Sequence, residues 1–131
     1  MRTVLVVDDE FGIVEVLEAI LTDAGFHVVI ATNGRQALAR IAEHRPDLVL
    51  LDYMMPVLDG VGVLHALTAD RSADGLPVVV MSALPEDAVS TATRRYKAFL
   101  RKPFRIWSVL AAIEQAMPAH AGGPEAADDA R

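Results

Sequence analysis

The chain has 131 residues, 53% of them hydrophobic, with a formal net charge of −6 and no cysteine. That length fits one domain able to bury roughly two-thirds of its unfolded surface, and the lack of thiols excludes a disulfide framework and any thiolate metal site. The acidic balance argues against broad nucleic-acid binding by field alone, although six of the twelve basic residues (Arg94, Arg95, Lys97, Arg101, Lys102, Arg105) fall between positions 94 and 105.

The first apolar run, Thr3–Val7, predicts a strand interrupted by Asp8-Asp9-Glu10. It is too short for a signal-peptide core, and no later run approaches the roughly 18 residues of a membrane span. A soluble cytoplasmic protein with no membrane insertion is expected. Residues 10–24 place Val14, Leu17 and Leu21 on one helical stripe, with Gly25 as the stop. His27–Ala31 reads as a second strand, and residues 34–44 as a helix capped by Asn33 and ended ahead of Pro46. Asp47–Leu51 and Pro77–Met81 are the third and fourth strands, with a helix at 59–69 between them. A further helix is placed at 86–95, but its Val89-Ser90-Thr91-Ala92-Thr93 run has poor helix propensity, so it is expected to be short or mobile. Ala98–Leu100 is the fifth strand. Residues 105–117 put Ile106, Leu110, Ile113 and Met117 on one stripe that leaves Trp107 outside it and exposed, and Pro118 ends the pattern. Beyond Ala119 no apolar periodicity remains, which divides the chain into a domain at 1–118 and a disordered tail or linker stub at 119–131.

Strands that alternate with helices, several of them continuous Val/Leu runs, imply an α/β fold: a doubly wound parallel sheet buried by helices on both faces. Ligands bind such sheets at the carboxyl ends of the strands, beside the point where strand order reverses. The polar residues fall there: Asp8-Asp9 after the first strand, Asp52 after the third, Ser82 after the fourth and Lys102 after the fifth. If the order is 2-1-3-4-5, the three carboxylates converge, with Ser82 and Lys102 on the flank beyond Asp52. Carboxylates that close repel unless a proton or cation intervenes, and an all-oxygen set suits Mg²⁺. A carboxylate also serves as a nucleophile towards phosphorus, Lys102 supplies a point charge for a phosphoryl oxygen and Ser82 a hydroxyl donor. Taken singly, each has a blander reading: an Asp pair as the cap of the next helix, Ser82 as a cap, Lys102 as a solvated charge. The conjunction of all five outweighs those readings.

Val-Leu-Val-Val-Asp-Asp-Glu (4–10), Leu-Leu-Asp-Tyr-Met-Met-Pro-Val-Leu-Asp-Gly (50–60), Val-Met-Ser-Ala (80–83) and Lys-Pro-Phe (102–104) stand in this order along the chain. With these motifs residues 3–117 resemble the receiver domain of two-component response regulators. The resemblance implies a flavodoxin-like five-stranded sheet in the order 2-1-3-4-5 and Asp52 as phosphoacceptor for the phosphohistidine of a sensor histidine kinase or histidine phosphotransfer protein. It implies Mg²⁺ (or Mn²⁺) held by Asp9 and Asp52 directly, by Asp8 through water and by the backbone carbonyl of Met54. It assigns Ser82 and Lys102 to the phosphoryl oxygens, makes Ser82 and Phe99 the switch pair, and makes the Lys102–Pro103 bond cis. Three departures stand out. Phe99 lacks the hydroxyl of the commoner Tyr. The Ser82–Lys102 segment is short and lacks Gly-Ala-Asp before the last strand. Arg105 occupies a place often held by an acidic cap.

With no output-domain sequence after the receiver, the expected output is a contact with a downstream protein or a homodimer, through a face carrying Arg94, Arg95, Arg101 and Trp107, without direct nucleic-acid binding. The chain is read as a phosphoacceptor rather than a turnover enzyme. Apolar Met54 and Leu84 beside the site predict a long-lived phosphoryl state. A phosphorelay intermediate or a fragment of a longer regulator fits equally. An Asp-nucleophile phosphatase would need a second Asp as proton donor where Met54 stands, and a flavodoxin-like cofactor module would need a phosphate-cradling loop in place of Asp8-Asp9-Glu10.

Overall fold

The computed structural model describes residues 2–117, so the tail expected at 119–131 and the stop at Pro118 lie outside the described residues. Five parallel strands, β1 (Thr3–Val7), β2 (His27–Ala31), β3 (Leu48–Asp52), β4 (Val78–Ser82) and β5 (Ala98–Arg101), form one sheet in the order β2-β1-β3-β4-β5. Side chains alternate between its faces. Val4, Val6, Leu48, Leu50, Val79, Met81 and Leu100 enter one core with α1 (Phe11–Asp23) and α5 (Ile106–Ala116). Leu5, Val7, Val49, Leu51, Val78 and Val80 enter the other, beneath α2 (Gly34–His44), α3 (Gly60–Ala69) and α4 (Glu86–Ser90). Burial on both faces explains why these strands are apolar throughout. Each such side chain contributes about 1.5–3 kcal/mol by leaving water.

The helix ends follow local chemistry. Gly25, at φ +96, closes α1: its N–H donates to the Thr22 carbonyl and that of Phe26 to Leu21, satisfying carbonyls the helix leaves open. Asn33 Oδ1 accepts from Gln36 N at 2.8 Å, and Asp59 Oδ1 from Gly62 N at 2.9 Å, so α2 and α3 start on side-chain caps. The helix expected at 86–95 stops at Ser90. Thr91 Oγ1 and Ser90 Oγ both donate back to the Asp87 carbonyl, at 2.6 and 3.3 Å, and these bonds compete with continuation of the helix.

Three other expectations shift. The third and fourth strands lie one residue later than read, because Asp52 pairs with Met81 and Ser82 with Arg101 in the ladder. Asp47, outside the strand, instead accepts the Thr3 amide at 2.7 Å. A 3₁₀ turn at Arg71–Ala73, capped by Asp70, was not legible in the periodicity. On α5 the buried stripe is Val109, Ala112, Ile113 and Ala116, while Ile106 and Leu110 are exposed. The two alanines let the helix settle closely on the sheet, which turns the larger residues outward. Among the described residues no helix is long and apolar enough to cross a membrane.

Candidate functional site

The strands deliver their last residues to one end of the sheet. Asp8, immediately after β1, is fully buried, and its Oδ1 accepts the Glu10 amide at 2.9 Å. Asp52 is the final residue of β3 and only 5% exposed, whereas Asp9 faces solvent. One carboxylate oxygen from each of these three residues lies within 4.8 Å of the others. Lys102 N donates to the Ser82 carbonyl at 2.8 Å, extending the β4–β5 ladder, and the Lys102–Pro103 bond is cis, as the motif implied. Its Nζ reaches Asp8 Oδ2 at 2.8 Å, Asp52 Oδ1 at 3.2 Å and Glu10 Oε1 at 3.4 Å. Three carboxylates thus surround one ammonium.

Burial pushes the Asp52 carboxyl up to about 6, and the Asp8 charge pushes the same way, against the pull of Lys102. Burial lowers the Lys102 ammonium, but its hydrogen bond to Asp8 and the Asp52 charge outweigh that and leave it raised. One ammonium does not neutralise three carboxylates. The remaining negative charge, carried entirely on oxygen, fits a hard divalent cation, and Asp8, Asp9 and Asp52 are the residues able to hold one.

A cleft of about 350 Å³ lined by Asp9, Glu10, Asp52, Met54, Ser82, Ala83, Leu84 and Lys102 opens over the carboxylates. Ser82 is buried and its Oγ accepts the Leu84 amide at 3.0 Å, which leaves the hydroxyl proton to donate. Met54 and Leu84 expose their side chains at the rim. The loop beneath Asp52 is closed by Gly60, whose N–H donates to the Tyr53 carbonyl at 2.9 Å. A Cβ on Gly60 would lie 2.8 Å from the Asp52 carbonyl oxygen, so only glycine allows this approach.

Asp9, Asp52, Met54, Ser82 and Lys102 therefore share one cleft, and Asp8 lies buried beneath it against Lys102. Phe99 does not line it: it stands beside Val80 in the ladder and is half-buried against the second core. The expected basic face is also divided. Arg94 is exposed, but Arg95 turns away to donate to the Leu76 and Ala73 carbonyls at 3.0 and 3.1 Å. Arg101 Nε donates to the Ala83 carbonyl at 2.9 Å. Trp107 is 65% exposed, with the Arg105 guanidinium 5.3 Å from its ring centroid. Glu10 is the site residue that sequence reasoning passed over. Its place beside Asp8-Asp9 marked it as acidic without showing that it reaches Lys102.

A family model described as the response regulator receiver domain matches residues 4–114. The DNA-binding response regulator MtrA of Mycobacterium tuberculosis is 36% identical over 114 residues, which span 86% of this chain and 49% of MtrA. The chain spans about half the length of the curated relatives it matches. Among solved structures, the chemotaxis response regulator CheY4 of Vibrio cholerae superposes with a TM-score of 0.84 at 27% identity, over 89% of this chain and 99% of that one. The receiver domain of sensor histidine kinase PA1611 from Pseudomonas aeruginosa, described with a magnesium ion coordinated in its active site cleft, superposes with a TM-score of 0.79 at 26% identity, over 88% and 96% of the two chains.

Proposed function

Since this chain belongs to the response regulator receiver domain family of two-component systems, we propose that Asp52 is its phosphoacceptor and that phosphorylation alters how the domain meets a partner. The observation that carries this reading is the Lys102 ammonium held between Asp8 and Asp52 over three converging carboxylates. An Asp52 oxygen attacks the phosphorus of a phosphohistidine on a sensor histidine kinase or histidine phosphotransfer protein. The P–N bond breaks as the C–O–P bond forms, and the imidazole nitrogen keeps the electron pair and takes a proton. Lys102 and Ser82 hold the phosphoryl oxygens, by charge and by hydroxyl. Asp8, Asp9, Asp52 and the Met54 backbone carbonyl would hold Mg²⁺ or Mn²⁺, which when bound neutralises charge on the transferring group.

The phosphoryl group is a signal rather than a turnover intermediate, because Met54 stands where an Asp-nucleophile phosphatase needs its acid. Apolar Met54 and Leu84 at the rim favour a long-lived adduct. Phe99 acts as the packing half of the switch with Ser82. The output surface, for a downstream protein or a second copy in the cytoplasm, centres on Trp107 with Arg94 and Arg101, Arg95 being engaged elsewhere. The test is intact mass after incubation with acetyl phosphate and Mg²⁺. One alkali-labile phosphoryl group, absent from Asp52→Asn and after EDTA, is expected. An unmodified wild type would overturn the reading.

A further inference from the structure

The segment between α4 and β5 is tied to its surroundings by side chains. After Ser90, residues 91–97 form neither helix nor strand. The Lys97 N–H donates to the Val78 carbonyl at 2.8 Å, and two consecutive side chains add to that hold. Arg95 grips the carbonyls of Leu76 and Ala73 on the neighbouring connection, and the Tyr96 hydroxyl donates to Glu86 Oε2 at 3.0 Å. The Tyr96 ring packs on the second core, the core that includes Val89 and against which Phe99 also packs. Burial and the Glu86 hydrogen bond raise the phenol above its ordinary value, which keeps it a donor.

Glu86 lies four residues after Ser82, and the strap between them is held at three points. Leu84 N donates to Ser82 Oγ, Arg101 Nε to the Ala83 carbonyl, and Tyr96 to Glu86. A Ser82 hydroxyl that donates to an anion on Asp52 is drawn towards it. The Leu84 amide, bonded to the same oxygen, follows it, and residues 83–86 are displaced. Arg95 anchors its own segment to the 73–76 connection, so the displacement falls on the adjoining Glu86–Tyr96 contact.

We propose that the Glu86–Tyr96 hydrogen bond is a latch that opens on phosphorylation of Asp52 and transmits the event from the Ser82 strap to the segment before β5. Residue 99, a phenylalanine, has no hydroxyl with which to make such a bond. The latch rests on the phosphoacceptor reading above, and its test separates the two.

The full chain labelled with 3-fluorotyrosine carries two fluorines, on Tyr53 and Tyr96, assigned with Tyr53→Phe. Fluorine spectra are recorded with and without acetyl phosphate and Mg²⁺, and adduct is scored by intact mass in the same samples. The expected result is a Tyr96 resonance that moves in step with the adduct. In Glu86→Ala that resonance should sit near its phosphorylated position from the start, with the adduct forming to the same extent. Adduct on Asp52 with a stationary Tyr96 resonance would overturn the latch alone. So would a resonance that moves on phosphorylation yet ignores Glu86→Ala. No adduct would overturn the phosphoacceptor reading, and the latch with it.

Discussion

The connections that leave β3 and β4 are built differently. Residues 53–60, after Asp52, are held by main chain: Tyr53 N to the Met81 carbonyl, Leu58 N to Pro56, Gly60 N to Tyr53, and Gly34 N of the neighbouring loop to Leu58. Between Ala83 and Tyr96, each bond that leaves the segment has a side chain at one end: Leu84 N to Ser82 Oγ, Arg101 to the Ala83 carbonyl, and Arg95 to the Leu76 and Ala73 carbonyls. Main-chain bonds hold whatever the side chains do, which suits a loop that must keep a nucleophile still. Side-chain bonds are exchanged at a net cost of about 1 kcal/mol each, which suits a segment that must move. Two neighbouring connections on one sheet thus divide positioning from response.

The largest effect should come from the cation between them. Lys102→Ala removes the charge aimed at the phosphoryl oxygens and should slow phosphorylation by acetyl phosphate about 10²- to 10³-fold, read as the rate of mass gain. A rate within a factor of three of wild type would show that the carboxylates work without it.

Asp52→Asn tests the cost of the rigid side. With its carboxyl raised to about 6 by burial and Asp8, Asp52 favours the folded state only where it is protonated. Its contribution is fully present below about pH 4 and is lost as pH rises through 6. In EDTA the Asn chain should therefore be about 2–3 kcal/mol more stable than wild type at pH 7.5, with the gap closing towards pH 4. Denaturant melts at the two values check it, and a gap independent of pH would refute it.

Arg95→Met probes the responsive side. It frees two carbonyls that face solvent in part and should cost about 1–2 kcal/mol, with faster amide exchange confined to residues 91–97 and to 71–77 and no change in the rate of phosphorylation. Exchange that rises instead around Asp52 would erase the division between the two connections.

The smallest effect lies at Val57, a β-branched residue at φ +72 in the tight turn closed by Leu58 N and the Pro56 carbonyl. Glycine relieves that strain but loosens the unfolded chain, so Val57→Gly should gain only about 0.5–1 kcal/mol.

These regions were also unequally legible in the sequence. The sheet could be read because burial on both faces leaves continuous Val/Leu runs, and the site because each strand ends in a residue whose chemistry differs from the apolar text before it. Asp8, Asp52, Ser82 and Lys102 stand out for that reason. The segment before β5 showed only that its helix would be weak, from the hydroxyl residues 90, 91 and 93. That Arg95 would turn to two main-chain carbonyls, or that Tyr96 would find Glu86, depends on distances set by the whole fold, and no spacing rule encodes them. The helix stripe of α5 was misplaced for a related reason: periodicity ranks residues by hydrophobicity, while close packing on the sheet preferred Ala112 and Ala116 to Ile106 and Leu110.

Trp107 is the chain's one tryptophan, and it stands at the start of α5 with 65% of its surface exposed and the Arg105 guanidinium 5.3 Å from the ring. Its indole is consequently a built-in optical probe. Tryptophan emission from this protein arises at a single known place, one turn beyond the Lys102–Pro103–Phe104 motif, and any event that lifts the guanidinium off the ring or covers the ring with a partner changes colour or intensity there without a label.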